Sequence, residues 1–291
     1  MQKYTINDFN RDYPDDATCL ERLRQRRYSD GSTCEKCGRV TKYHRDAGRQ
    51  SYSCQWCGHH VHPTAGTIFE KTTTPLRLWF YAVFLVAQTR CGISAKQLER
   101  ELGVTYKTAW RMFNKIRAML QDDTDEPLSG TVEMDETYIG GKRRGTKRGR
   151  PGKDSHKTPV FGMAERKGRV FAAVVSDTKR ATVMPHVQKK VLPETTVYTD
   201  EYRVYDRLTK QGYQHSWVHH AEEIYVAGDV HTNTIEGFWS LLKRGIGGVY
   251  HSVSTKHLQG YLNEYTFRYN HRKDERPMFL TMLSRVSAPS G

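Results

Sequence analysis

The chain has 291 residues, 37% apolar and 11% aromatic, and a formal net charge of +14. That length suits two or three folded units, and the charge points to a polyanionic partner, nucleic acid first, over a basic protein with no such partner. The longest apolar run, around Leu78 to Ala87, is too short to span a membrane, and Met1 to Arg11 is polar, so neither a membrane partner nor a secretory leader is expected.

Residues 1–30 read as an N-terminal helical segment with a helix over Asp16–Arg27. Residues 31–66 are rich in Gly, Cys and His, and hold four of the six cysteines as Cys34-x-x-Cys37 and Cys54-x-x-Cys57, sixteen residues apart. A two-residue gap lets both thiolates of a pair reach one ion from a tight turn, and two such turns complete a tetrahedron. The expectation is a zinc ribbon in a reducing compartment, with structural Zn²⁺ held by Cys34, Cys37, Cys54 and Cys57 and no position left for water. So short a segment buries little core, and the metal would supply the folding energy. His44, His59, His60 and His62 are read as surface or DNA-facing groups.

Residues 72–121 read as helices. Leu76–Gln88 is apolar enough to pack behind two shorter ones. In the first of these Ser94 fits an N-cap and Gly103 a stop; in the second Thr105 is the cap. Ala109, Met112, Phe113 and Ile116 form an apolar face, with Lys107, Arg111, Lys115 and Arg117 expected to be exposed. A short turn before a basic second helix is the layout of a helix-turn-helix DNA-binding domain; an ordinary helical hairpin is the alternative.

The acidic stretch Asp122-Asp123-Thr124-Asp125-Glu126-Pro127 marks a boundary, with a last domain over 128–291. There Thr131–Ile139, Val160–Glu165 and Arg169–Ser176 read as strands, the last two joined by the turn Lys167-Gly168. Ala181–Val191 reads as a helix, Thr196–Thr199 as a buried strand, Glu201–Gln211 as a helix and Gln214–Val218 as a strand. Thr234–Arg244 and His257–Arg272 read as helices, the latter with Tyr261, Leu262, Tyr265 and Tyr269 as a core stripe and with Arg268, His271, Arg272 and Lys273 read as DNA-facing groups. Hairpin strands followed by alternating helices and strands imply a mixed α/β sheet covered by helices. Lys142–Lys157 carries eight Lys or Arg against one Asp and reads as a phosphate clamp or as a solvated run.

Three acidic segments carry the expected chemistry. Asp135 lies within a strand, Asp200 ends a strand and Glu236 opens a helix. Carboxylates at the ends of apolar strands are costly unless paired or metal-bound. Two Asp and one Glu converging from two strands and a helix can hold Mg²⁺ or Mn²⁺ for phosphodiester chemistry. Lys243, two helical turns after Glu236, shares its face. Asp200 has an equally good reading as a helix cap. Glu133 shares the parity of Asp135 and reads as a supporting or salt-bridging group, Glu136 as exposed on the other face, and Phe238 and Trp239 as core.

The motifs Met134-Asp135-Glu136-Thr137-Tyr138-Ile139-Gly140-Gly141-Lys142, Tyr198-Thr199-Asp200-Glu201-Tyr202 and His231-Thr232-Asn233-Thr234-Ile235-Glu236-Gly237-Phe238-Trp239-Ser240-Leu241-Leu242-Lys243-Arg244-Gly245 resemble those of a bacterial insertion-sequence transposase family. The resemblance implies a multidomain protein: a zinc ribbon and helix-turn-helix, then an α/β ribonuclease-H-like catalytic domain with a mixed sheet. It implies that Asp135 and Asp200 are catalytic aspartates and that Lys243 trails the third ligand. That ligand is Glu236, preferred because a charged carboxylate holds Mg²⁺ better than an amide, or Asn233. It also implies a cytoplasmic, nucleoid-associated protein that cuts and transfers double-stranded DNA at element ends, at least dimeric in the working complex. The alternatives are a non-catalytic DNA-binding regulator derived from a transposase, and a ribonuclease-H-like nuclease or resolvase without strand transfer.

Overall fold

The computed structural model describes residues 3–121, 126–140, 157–200, 203–217 and 230–286. The basic run read as a phosphate clamp, Lys157 excepted, and most of the acidic linker lie outside these residues. The chain divides into two compact units, Met1–Met119 with Asp274–Gly291, and Leu120–Lys273. Among the described residues, no helix is long and apolar enough to cross a membrane.

The first unit opens with α1 (Ile6–Asp12), whose capping box pairs the Thr5 hydroxyl with the Asp8 amide and the Asp8 carboxylate with the Thr5 amide. Helix α2 (Asp16–Arg27) follows, capped by Asp15. Short antiparallel strands come next: β1 (Ser32–Thr33) with β2 (Val40–Thr41), and β3 (Tyr43–Arg45) with β4 (Tyr52–Cys54) and β5 (His60–Val61). They hold the two Cys pairs. Helix α3 (Leu76–Gln88) buries Leu76, Trp79, Phe80, Val83 and Phe84. Helix α4 (Ala95–Leu102) is capped by Ser94 and stops at Gly103, which takes the left-handed conformation (φ 63°) that a side chain would resist. Three residues later α5 (Tyr106–Met119) begins over the Thr105 cap. Lys107 and Arg111 are exposed as expected. Arg117 is not: it is 1% exposed, its guanidinium 3.6 Å from the centre of the Phe113 ring. The i, i+4 spacing from Phe113 puts it on the packed face. Lys115 is half-buried and donates to the Ile68 carbonyl at 3.0 Å.

The second unit is built on a sheet of β6 (Thr131–Ile139), β7 (Thr158–Glu165), β8 (Val170–Val174), β9 (Thr196–Thr199) and β10 (Gln214–Trp217), in the order β10-β9-β6-β7-β8. The hairpin strands β6, β7 and β8 run antiparallel; β9 and β10 continue parallel to β6. Helix α6 (Arg180–Lys190) supplies the crossover that a parallel connection needs. Among its described residues, the stretch expected to be helical over Glu201–Gln211 holds short 3₁₀ turns at Arg203–Tyr205 and Thr209–Gln211 in place of an α-helix. Helices α7 (Asn233–Gly245) and α8 (Thr255–Asn270) complete the unit.

Strand alternation splits the core in two. Val132, Met134, Phe161, Met163 and Val197 face Val183, Met184 and Val187 of α6 together with Tyr205. Ile139, Val160, Ala164 and Val170 face Ile235, Phe238, Trp239 and Leu242 of α7 and Leu262 and Tyr265 of α8. The sheet is thus covered on both faces. The tyrosine stripe of α8 packs as expected. Arg268 on the same helix was expected near DNA; it is instead buried and ion-paired with buried Glu264 at 2.8 Å.

A last helix, α9 (Met278–Arg285), belongs to the first unit, whereas the sequence reading carried the second domain to residue 291. Phe279 explains the difference. Its ring lies 5.8, 5.7 and 5.7 Å from those of Phe9, Tyr13 and Phe84, an aromatic cluster that closes the core of the first unit.

Candidate metal and nucleic-acid sites

In the first unit the Cys pairs form two matching turns. The amide of Gly38 donates to the Cys34 carbonyl at 2.9 Å and that of Gly58 to the Cys54 carbonyl at 3.0 Å. Both glycines have positive φ, 68° and 66°, so neither turn closes comfortably around a side chain. Cys34 and Cys57 sulfurs lie 3.8 Å apart, and Cys37 and Cys54 sulfurs 4.0 Å apart. Four sulfurs about 2.3 Å from one zinc ion at tetrahedral angles would be separated by about 3.8 Å. The four residues therefore fit that ion. His60 is accounted for separately, its Nδ1 lying 2.8 Å from Asp46 Oδ2.

In the second unit the acidic residues meet at the middle of β6, where the neighbouring strand β9 ends. Asp135 lies on the α7 face of β6, and β9 ends just before Asp200. One carboxylate oxygen each from Asp135, Glu136 and Asp200 lies within 4.8 Å of the others. Glu136 does belong to the opposite face of β6, as its parity requires. It is half-buried rather than exposed, because the Tyr205 hydroxyl donates to its Oε1. At the mouth of the sheet, carboxylates from both faces of one strand can thus approach the end of its neighbour.

Asp135 is further held by α7, whose Trp239 Nε1 donates to its Oδ2 at 3.0 Å. The indole reaches it because Gly162, opposite Asp135 on β7, has no side chain: a Cβ there would fall on the Trp239 and Ile235 side chains. Burial pushes the Asp135 carboxyl up to about 7, helped by the charges of Glu136, Asp200 and, less, Glu236, and opposed by the Glu136 amide that donates to Oδ1. A buried acid with raised affinity for protons has the same reason to attract a cation. Hard oxygen donors in this number suit Mg²⁺ or Mn²⁺.

A cleft of roughly 540 Å³ opens beside Asp135, lined by Asp135, Glu136, Thr137, Glu236, Trp239, Ser240, Lys243 and Arg244. Glu236 and Lys243 thus share one wall, as their seven-residue spacing implied. The Thr232 hydroxyl donates to Glu236 Oε1 at 2.8 Å. Asn233 is exposed at the start of α7 and is not among the lining residues. Phe238 and Trp239 are buried, as read from sequence, but the polar link from Trp239 to Asp135 had no signal in the sequence.

The ISXO2-like transposase domain matches residues 127–270, the span that contains this cleft. The uncharacterized protein in transposable element ISH50 of Halobacterium salinarum is 31% identical over 266 residues, covering 84% of this chain and 88% of that protein. An uncharacterized transposase-like protein of Haemophilus influenzae is 31% identical over 104 residues, 36% of this chain and 83% of its own length. Among solved structures, the Mos1 strand transfer complex aligns with a TM-score of 0.31 and 12% identity, over 71% of this chain and 74% of that one. A match to an element-encoded relative over nearly the full length, with the transposase domain laid over the acidic cleft, places this chain in the insertion-sequence transposase family with an ISXO2-like domain.

Proposed function

We propose that the protein is a metal-dependent DNA transposase that binds the ends of its own element, cuts them and joins them to target DNA. The observation that carries this reading is the meeting of Asp135 and Asp200, 65 residues apart in sequence, beside a cleft that also holds Glu236 and Lys243. The strand order, three hairpin strands followed by two parallel crossovers, supports the ribonuclease-H-like reading of the second unit.

In this account Asp135, Asp200 and Glu236 would hold Mg²⁺ or Mn²⁺, with Glu136 close enough to share the charge. Divalent ions so held would supply the charge that activates an attacking water or 3′-hydroxyl and stabilises the leaving oxygen. Asp135 accepts from Trp239 and from the Glu136 amide, which fixes both its oxygens before metal arrives. Lys243 and Arg244 present charge to the DNA backbone on the same wall. Asn233, exposed on the first turn of α7, is the weaker assignment for the third ligand.

The first unit would supply end recognition. The four-cysteine site would hold structural Zn²⁺, and α5 would enter the major groove with exposed Lys107 and Arg111. Tyr106, 49% exposed and stacked 6.5 Å from Trp110, offers an aromatic contact beside them. Synapsis of two ends requires at least a dimer in the working complex.

The test is incubation of the full chain with duplex carrying the element's ends, a target plasmid and Mg²⁺. Strand-transfer products support transposition; released ends without joining would indicate a nuclease; binding without cutting would indicate a regulator.

A further inference from the structure

One heavily bonded carboxylate of the second unit is not among the clustered acids. Glu133 is fully buried on β6, two residues before Asp135 and on the same face. Its Oε2 accepts from the amides of Thr234 at 2.6 Å and Ile235 at 3.1 Å. Its Oε1 accepts from the Thr234 hydroxyl at 2.9 Å and from Arg166 Nε at 2.8 Å, with His231 Nδ1 at 3.3 Å.

These bonds do what a local cap ordinarily does. The first amides of a helix lack intrahelical acceptors and carry partial positive charge. At α7 the N-cap residue, Thr232, makes no side-chain bond to them, and its hydroxyl goes to Glu236. Glu133 takes the role from 101 residues away. The position of α7, and so of Glu236 on its first turn, is thereby tied to β6.

Arg166 extends the tie to the third element. Its guanidinium holds Glu133, donates from Nη2 to the His231 carbonyl at 3.0 Å, and lies 4.7 Å from the centre of the Tyr198 ring. Tyr198 pairs with Glu133 across β6 and β9, two residues before Asp200. One ion pair therefore touches β6, α7 and β9, each time within three residues of Asp135, Glu236 or Asp200.

We propose that Glu133, with Arg166, is a positioning residue that sets the mutual register of the three elements bearing the metal-binding carboxylates, an inference that rests on the metal-centre reading above. Glu133 itself faces the helix amides and not the cleft. A buried ion pair also contributes to stability, so the two roles need separating by a quantity that stability alone leaves unchanged.

That quantity is Mn²⁺ affinity of the full-length, zinc-loaded protein without DNA, read from the free-ion electron paramagnetic resonance signal. Glu133→Gln keeps the shape and loses the charge; Thr234→Val removes one hydroxyl bond and leaves the helix amides in place. Asp135→Asn sets the baseline of a lost ligand. Loss of an outer-shell partner weakens metal binding by about 10- to 100-fold, the expectation for Glu133→Gln, whereas loss of one hydrogen bond in Thr234→Val should weaken it by about threefold. Saturating Mn²⁺ should restore much of the cleavage lost by Glu133→Gln and none of that lost by Asp135→Asn. Folded Glu133→Gln and Thr234→Val proteins that bind Mn²⁺ like the parent would overturn the proposal, and if Glu133→Gln does not fold, parental affinity in Thr234→Val overturns it alone. Parental affinity in Asp135→Asn would overturn the metal-centre reading beneath it.

Discussion

Trp239 and Gly162 together determine where the Asp135 carboxylate points. The indole lies over the strand position opposite Asp135, where the lack of a side chain leaves room for it, and donates its only polar hydrogen to that carboxylate. A packing feature of the sheet is thus also a polar feature of the cleft.

Gly162→Ala tests this coupling. The added methyl would press on the indole from a strand interior with little freedom to move. Overpacking of this kind costs about 1–3 kcal/mol, and the displaced indole should release Asp135. Thermal unfolding should register the first effect, and a fall in metal-dependent cleavage larger than that stability loss explains should register the second. A destabilised protein with unchanged cleavage would separate packing from the site.

Asp135 also predicts a pH signature. Its folded-state value of about 7 stands above the ordinary 3.8, so the folded protein holds a proton that the unfolded chain releases. The metal-free protein should therefore lose stability as pH rises from 3.8 to about 7 and level off above it. Asp135→Asn, which has no charge to bury, should melt higher than the parent at pH 8 and no higher at pH 4. Divalent metal should raise the melting point of the parent at pH 8 and leave that of Asp135→Asn nearly unmoved. Equal melting of parent and variant at pH 8 without metal would count against the cost of burying the Asp135 charge beside Glu136 and Asp200.

Zinc removal should act on one unit. Residues 31–66 have short strands, and their described core is small, so folding there should depend on the four thiolates. A strong chelator should expose the amides of β1 to β5 to hydrogen exchange while those of β6 and β7 stay protected. End-DNA binding should weaken in parallel. Protection of the ribbon that survives complete loss of zinc would argue for a metal-independent fold.

Arg111→Ala and Lys107→Ala should each weaken end binding. If the side chain meets a phosphate, the slope of log affinity against log salt should flatten by about one per residue. If Arg111 reads a base, specificity should relax and the slope change less. Binding curves for cognate and scrambled duplex at several salt concentrations distinguish the two, and no effect on either would remove α5 from the interface.

Much of the fold was legible because it follows from local pattern. Alternation and flanking turns gave β6 and β9 to the residue, and Leu76–Gln88 is α3 as read. Cys spacing pointed to the four-sulfur arrangement because two short turns are local objects. What escaped depends on residues distant in sequence. Glu133 meets α7 across 101 positions, and Phe279 meets Phe9 across 270. Arg117 and Arg268 were read by charge as surface groups; each has a partner four residues away on its own helix, Phe113 and Glu264, that makes burial tolerable. The capping box at Thr5 and Asp8 was a local signal for α1 that composition had obscured. Glu136 was assigned to the correct face, but a strand end lets both faces reach one cluster, which parity alone does not convey.

The central claim is that Asp135 and Asp200 act as one metal-binding unit in DNA cutting. Its most direct test is single-turnover cleavage of a labelled element-end duplex in Mg²⁺ by the parent, Asp135→Asn and Asp200→Asn, with binding to the same duplex measured alongside. The account predicts that both variants bind like the parent and show no detectable cutting. Parental cutting by either variant would contradict it.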